Sequence, residues 1–386
     1  MVLLSRKSFI ALEVESTEGT VVALTGADAT FRSFDPAYSY DPEIHNRDAN
    51  RKYRGQSKGV LGKKPATISW RTEVKGSGTA ATKPAWNDSL LACGFTAKAV
   101  SSMTITITTA GTFNPMEEII GATSGATGRV VGEVPQAAGT KLLYFVPVSA
   151  TPMSSADVIT GQVSATTAAV DNAPNASKGW EYTPDTDNHP STTVAKYMDG
   201  KYRRARGARG TATVEGVAGA PLMYNFSYSG IHNDEADAAL LSPTYESTNV
   251  PVLESSSMAF FGITECVDAF TLDLGNDVVE RPCATAAAGV KSYRITDWAP
   301  QITIDPEDVL VATASFTAQM SSRAEGRFYA QVGSVGGQRV SIAAPKMSYA
   351  GVQEGDRNGI LTALLTFDLL VTSTTTGDDE LQIAVV

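Results

Sequence analysis

Along most of this 386-residue chain, apolar side chains alternate with polar ones over short runs, and Gly, Pro, Asn and Ser separate the runs. Side chains of an extended strand point to opposite faces in turn, so a period of two predicts strands with one buried face. Residues 66–74, 211–217 and 222–228 carry the pattern most cleanly, and Thr, Val, Ala, Ser and Gly dominate around them. This is the texture of a mainly β protein. Two polar stretches, 32–65 and 276–301, read as long loops, which a compact fold usually keeps for function or contact.

One segment departs from the period. After a strand ending near Lys75, the turn Gly76-Ser77-Gly78 leads to Pro84, and Trp86, Leu90 and Cys93 then recur at helical spacing. Pro84 suits a first helical position and Gly94 suits the left-handed residue that closes a helix. The spacing predicts about two to three turns between them, with Trp86, Leu90 and Cys93 packed on a sheet and Asn87 and Asp88 facing water.

Residues 101–176 differ again, with aromatic side chains only at Phe113, Tyr144 and Phe145. The run 118–131 echoes 157–170, aligning Glu118 with Asp157, and both place apolar pairs around a Gly/Ser/Ala/Thr turn. Two copies of one strand–turn–strand unit predict a small β-domain at 99–184, on the outer surface because insertions grow from loops. The remainder then reads as one order of elements written twice. A strand (66–75), the Trp86 helix and a strand pair (211–217, 222–230) are matched by a strand (309–318), a second plug (323–332) and another pair (339–343, 361–371). The expected units are 1–98 with 185–255, and 256–386.

Charge narrows the function. Charged residues make up 19% of the chain, against about 25% in an average globular protein. This suits a molecule that covers its surface with copies of itself. The formal net charge of −10 argues against affinity for nucleic acid or an anionic membrane. No apolar stretch approaches the ~20 residues that span a bilayer, and no export signal opens the chain, so the expectation is a cytoplasmic product. Cys93, Cys266 and Cys283 fit neither a disulfide framework nor a zinc site and read as buried hydrophobes.

Chemical motifs are sparse. Gly76-Ser77-Gly78-Thr79-Ala80-Ala81 matches a dinucleotide fingerprint in letters only, because the helix starts late and no carboxylate follows at the required distance. His45, His189 and His232 lie apart and read as solvated loop residues. Asp297, Asp305, Glu307 and Asp308 crowd one turn, which a cation or water alone would satisfy. No nucleophile, base and orienter can be grouped, so neither enzyme activity nor a cofactor is expected.

The strongest charge feature is basic. Arg47, Arg51, Lys52, Arg54, Lys58, Lys63 and Lys64 stand against Asp48 alone, and Lys201, Arg203, Arg204, Arg206 and Arg209 form a second run. Phosphate binding and simple solvation are both open. On an acidic chain, complementarity to its own surface favours contacts between copies.

The strand, Gly-Ser-Gly turn and short helix ending in Leu90-Leu91-Ala92-Cys93-Gly94-Phe95 resemble the major tail tube proteins of long-tailed, siphovirus-like bacteriophages. Glu15-Ser16-Thr17-Glu18-Gly19-Thr20, Arg206-Gly207-Ala208-Arg209-Gly210-Thr211, Thr271-Leu272-Asp273-Leu274-Gly275-Asn276 and Gly355-Asp356-Arg357-Asn358-Gly359-Ile360 extend the resemblance, as does the acidic Gly377-Asp378-Asp379-Glu380-Leu381. The Gly121–Thr127 turn resembles add-on β-modules of phage structural proteins. The resemblance implies a β-sandwich whose sheets join those of neighbouring copies into a closed barrel, stacked as rings around a channel for viral DNA. It places the protein in the virion tail, assembled in the host cytoplasm beside other tail proteins, with DNA passing through unbound. Two units per chain favour a ring of three chains over six. A baseplate or tail-end protein is the nearest alternative. A carbohydrate-binding module would be favoured by a stacking platform of Trp180, Tyr182 and Trp298.

Overall fold

Strand makes up 53% of the described structure and helix 5%. The computed structural model describes residues 3–386 apart from positions 48, 51, 53, 110, 137, 138, 255, 256, 264, 265 and 374–376. Its alternating segments pair into two antiparallel sheets of the same design. The first runs Ser8–Val14, Thr192–Met198, Lys201–Val217, Met223–Asp237, Pro65–Glu73, Phe34–Tyr40 from edge to edge. The second runs Ser257–Phe260, Glu325–Val332, Val340–Arg357, Ile360–Leu369, Gln301–Pro306, Val267–Asp273. Numbered along the chain, both read 1-4-5-6-3-2. Each unit also places a short helix between its third and fourth strands, and a two-stranded hairpin between its second and third. A single apolar cluster takes side chains from both, including Trp70, Trp86 and Phe226 of the first unit and Phe270, Phe328 and Phe367 of the second.

Both long polar stretches therefore contain paired strands rather than plain loop: Ile44–His45 with Val60–Leu61, and Asn276–Pro282 with Val290–Trp298. They are called the first and second arms below. The second-half plug also differs from expectation. Residues Glu325–Val332 form a strand, and the helix is Phe316–Ser321, capped by Ser315, whose hydroxyl accepts from the Ala318 amide. Residues 310–313 form a turn, so the third strand of this unit is Gln301–Pro306.

The first helix is shorter than its flanking signals predict. It spans Asn87–Leu91, with Trp86 at the N-cap, and Pro84 lies in the preceding turn, where its carbonyl accepts from the Asn87 amide. Trp86, Leu90 and Cys93 are buried. The Trp86 indole N–H donates to the Lys75 carbonyl at 2.8 Å, and its ring lies 4.9 and 5.2 Å from those of Tyr182 and Tyr224. Asn87 faces inward, not toward water, because its Oδ1 accepts from the buried Tyr182 hydroxyl. The turn before the helix is glycine for contact: a Cβ at Gly76 would stand 2.1 Å from the Gly337 carbonyl oxygen, which also accepts from the Gly78 amide.

Residues 101–170 close into a separate six-stranded barrel. The later part of Phe95–Ile107 pairs with Thr140–Pro147, then follow Thr127–Pro135, Glu118–Gly121, Val158–Gly161 and Thr167–Val170, which returns to Phe95–Ile107. Its core is doubled: Met103, Ile105, Phe113, Ile119 and Val130 recur as Leu143, Phe145, Met153, Ile159 and Val170. That spacing makes Glu117 the counterpart of Asp157, one residue away from the alignment read in the sequence. The cause is reciprocal capping. The Asp157 carboxylate accepts from the amides of Thr123 and Ser124 in the other copy, and Glu117 accepts from those of Val163 and Ser164. Arg129 fastens the barrel to the body through the fully buried Glu181, which also accepts from Gln382.

Burial alone would raise the Asp157 pKa, but hydrogen bonds from Ser154, Ser124 and Thr123 hold it well below the carboxylate range. Its contribution is present above the unfolded value of about 3.8 and is lost as pH falls below it. Replacing Asp157 by Asn should destabilise the barrel by about 2–4 kcal/mol. Hydrogen exchange is expected to accelerate across 101–170 while amides of the two large sheets hold their protection.

Candidate assembly interface

The two large sheets meet edge to edge. The fifth strand of the first unit outruns its fourth, and its free end pairs with the second strand of the second unit, Thr213 opposite Asp273 through Val217 opposite Ala269. Amides of Ala218 and Leu274 extend the ladder, donating to Asp268 and Ala212 carbonyls at 2.8 and 3.0 Å. Val214, its hairpin neighbour Tyr224 and its partner Leu272 are each 0% exposed.

The second arm lies across the first unit and locks this joint. Ile231 packs with Val290 and Tyr293 of the arm, and the Asn276 side chain donates to the carbonyls of Cys93 and Gly210. Glu18 is the centre of charge. Its carboxylate accepts from Arg209 at 3.1 Å, Ser292 at 2.8 Å, Arg281 at 3.0 Å and Arg294 at 3.2 Å. Burial would raise its pKa, but the Ser292 and Arg209 hydrogen bonds, with the Arg209 and Arg294 charges, pull it down to about 2. Glu15 shapes the turn that presents Glu18, accepting from the amides of Gly19 and Gly207 and the hydroxyls of Ser191 and Thr193. Neither glutamate stands out by charge pattern. Their only sequence signal is the Glu-Ser-Thr-Glu-Gly-Thr run itself, two carboxylates flanking a glycine turn.

The basic residues divide into two groups. Arg203 donates to Glu235, Arg204 grips Asp234 with two N–H groups at 2.9 and 2.6 Å, and Arg206 donates to the Gly19 carbonyl, so this run is engaged within the chain. Lys63 pairs with Glu280 of the second arm, and Lys64 is half-buried. Arg47, Lys52, Arg54 and Lys58 are exposed on the first arm, while Arg51 lies outside the described residues. The first arm's apolar side chains, Ile44, Val60 and Leu61, are also exposed, whereas Val290 and Tyr293 of the second arm are buried.

The run of strands that crosses this joint is open at both of its ends. Phe34–Tyr40 pairs on one side only, and residues 352–357 pair only with the sixth strand of their unit. Exposed apolar side chains accompany both: Phe34 and Tyr40 on the first, Leu361 of the neighbouring sixth strand at the second, with Leu310 and Val311 in the loop bonded to that strand. Leu310 and Val311 are 80% and 78% exposed.

Other candidates resolve differently. Of the cysteines only Cys93 is buried; Cys266 is exposed and Cys283 half-exposed. His232 sits in a strand, not a loop, with Nδ1 2.7 Å from the Tyr38 hydroxyl. Arg357 lies among Asp268, Asp305 and Glu307 at 3.6, 3.5 and 3.4 Å, supplying the positive charge that the acidic turn calls for. Tyr182 is fully buried, so Trp180, Tyr182 and Trp298 do not make an exposed platform. No protein-family model and no curated protein sequence matches the chain.

Because the folded Glu18 pKa lies below its unfolded value, its stabilisation is present above about pH 4.5 and is lost as pH falls toward 2. Glu18→Gln should cost about 2 kcal/mol at pH 7. Thermal melts from pH 7 to pH 3 should fall less steeply for this variant than for the parent chain.

Proposed function

We propose that the chain is a structural virion protein that polymerises into stacked rings, the tail tube of a long-tailed phage, through which DNA passes to the host. The observation that carries this reading is the internal joint together with its two unused ends. The far end of Val340–Arg357, Ile360–Leu369, Gln301–Pro306 and Val267–Asp273 continue into the far end of Lys201–Val217, Met223–Asp237, Pro65–Glu73 and Phe34–Tyr40 as one ribbon. A ribbon made of two equivalent halves ends in the same pair of edges that it joins at its middle. Head-to-tail repetition of that contact closes into a ring when the rotation permits. Closure also removes exposed edges that would otherwise pair at random.

The resemblance read in the sequence supplies the function of such a ring. Three two-unit chains take the place of six single-unit ones. The net charge of −10 suits a wall past which a polyanion slides without adhering. The inserted barrel, held at the body by Arg129 and Glu181, belongs on the outside of the tube in this reading.

Purified protein concentrated alone should form long hollow tubes under negative stain, and averaged end views should contain three chains per ring. A monomer that persists at every concentration sinks the tube reading. Rings of six full chains would replace the proposed count.

A further inference from the structure

The two units can be superposed residue by residue through their strand pairings. Ile68 opposite Tyr228 opposite Gly210 in the first unit corresponds to Ile304 opposite Leu365 opposite Val352 in the second. A register shift interrupts the fifth and sixth strands just beyond this point in both units, between Arg206 and Arg209 and between Tyr349 and Gly351. Counting along the strands makes the pair Asp356–Leu361 the counterpart of Val214–Tyr224, and Tyr40 the counterpart of Leu272.

Burial differs sharply at these matched places. Val214, Tyr224 and Leu272 are wholly enclosed because the internal joint covers them, whereas Leu361 is 57% and Tyr40 38% exposed. The loop amide of Asp308 donates to the Leu361 carbonyl, which holds the 307–311 loop, with its exposed Leu310 and Val311, against the sixth strand on the side away from 352–357. An apolar surface of this kind on a folded chain marks a contact site.

We propose, resting on the assembly reading above, that a second copy of the chain covers this surface. The end of its Phe34–Tyr40 strand pairs antiparallel with the end of Val340–Arg357, Ser39 and Tyr40 opposite Arg357 and Asp356, as Thr271 and Leu272 stand opposite Glu215 and Val214 within each chain. The first arm of the incoming copy then lies across the second unit of its neighbour, as the second arm lies across the first unit. Its exposed Ile44, Val60 and Leu61 are covered there, as Val290 and Tyr293 are covered on the second arm. Charge agrees with the placement: the arm exposes Arg47, Lys52, Arg54 and Lys58, and the receiving edge exposes Glu354 and Asp356.

Directly opposed residues of an antiparallel pair bring their Cβ atoms to about 4.5–5.5 Å, within reach of a short bismaleimide. In a background with Cys266→Ser and Cys283→Ser, Tyr40→Cys with Asp356→Cys should give covalent oligomers, and each single cysteine should give none. Leu361→Asp with Val311→Asp changes only side chains exposed in the single chain, and should raise the concentration needed for assembly at least tenfold with an unchanged monomer melting curve. Tubes that form without a crosslink, and equally well with the two aspartates, overturn the proposed seam and leave the tube reading standing. Crosslinked rings that never stack support the seam and overturn the tube reading. A chain that never associates overturns both.

Discussion

An open strand edge is an unfinished hydrogen-bond ladder, and that constraint organises this molecule. Backbone N–H and C=O groups at an edge need partners wherever water is excluded, and a side chain facing the core at the edge needs cover. Between the two large sheets both demands are met where 213–217 takes up 269–273 and Leu272 closes over Val214 and Tyr224. The fifth strand can serve there because it extends past its fourth-strand neighbour, pairing on that side with one strand near its start and another near its end. The continuous ribbon and its two open ends follow from where that strand runs out of its first partner.

Backbone pairing alone would leave the joint free to slip, since a ladder of this kind has little preference for register beyond the fit of its side chains. The second arm removes that freedom. Its hairpin crosses the neighbouring unit, and Glu18 collects three guanidinium groups there, two of them from the arm. A largely buried carboxylate with that many donors holds its geometry closely, because misplacing it leaves several charges unpaired at once. Close backbone contact does the rest. Gly19, with φ +74, lets the turn approach the Lys291 carbonyl where any Cβ would collide.

The sequence made the fold class legible and the site much less so. Period-two alternation identifies strands such as 66–74 because one face of each is buried, and Trp86, Leu90 and Cys93 mark the helix for the same reason. Pro84 and Gly94 misstate its length, since turn residues report local backbone angles and say nothing about where tertiary contacts begin. Asn87 is read as solvated for a related reason: its partner, Tyr182, lies 95 positions away. The hairpins within 32–65 and 276–301 escape notice because both arms are polar and short of alternating apolar positions. Basic residues draw attention by clustering, yet Arg203 and Arg204 are met by carboxylates of the adjacent strand, a pairing that depends on register. Glu18, which gathers its partners from four separate positions in the sequence, is marked locally only by the Glu-Ser-Thr-Glu-Gly-Thr run around it.

Writing the unit twice in one polypeptide also changes how an assembly would be reached in time. In a ring built as proposed, one joint in every two would be made within a chain, where the partner edge is held at a high effective concentration and never has to be found by diffusion. A closed array of given size therefore needs half as many bimolecular encounters. Its growth depends less steeply on protein concentration, and partly built intermediates expose fewer reactive edges. The duplication also frees the two kinds of joint to diverge, so that the covalent one can become permanent while the other keeps the reversibility that lets a misplaced subunit leave.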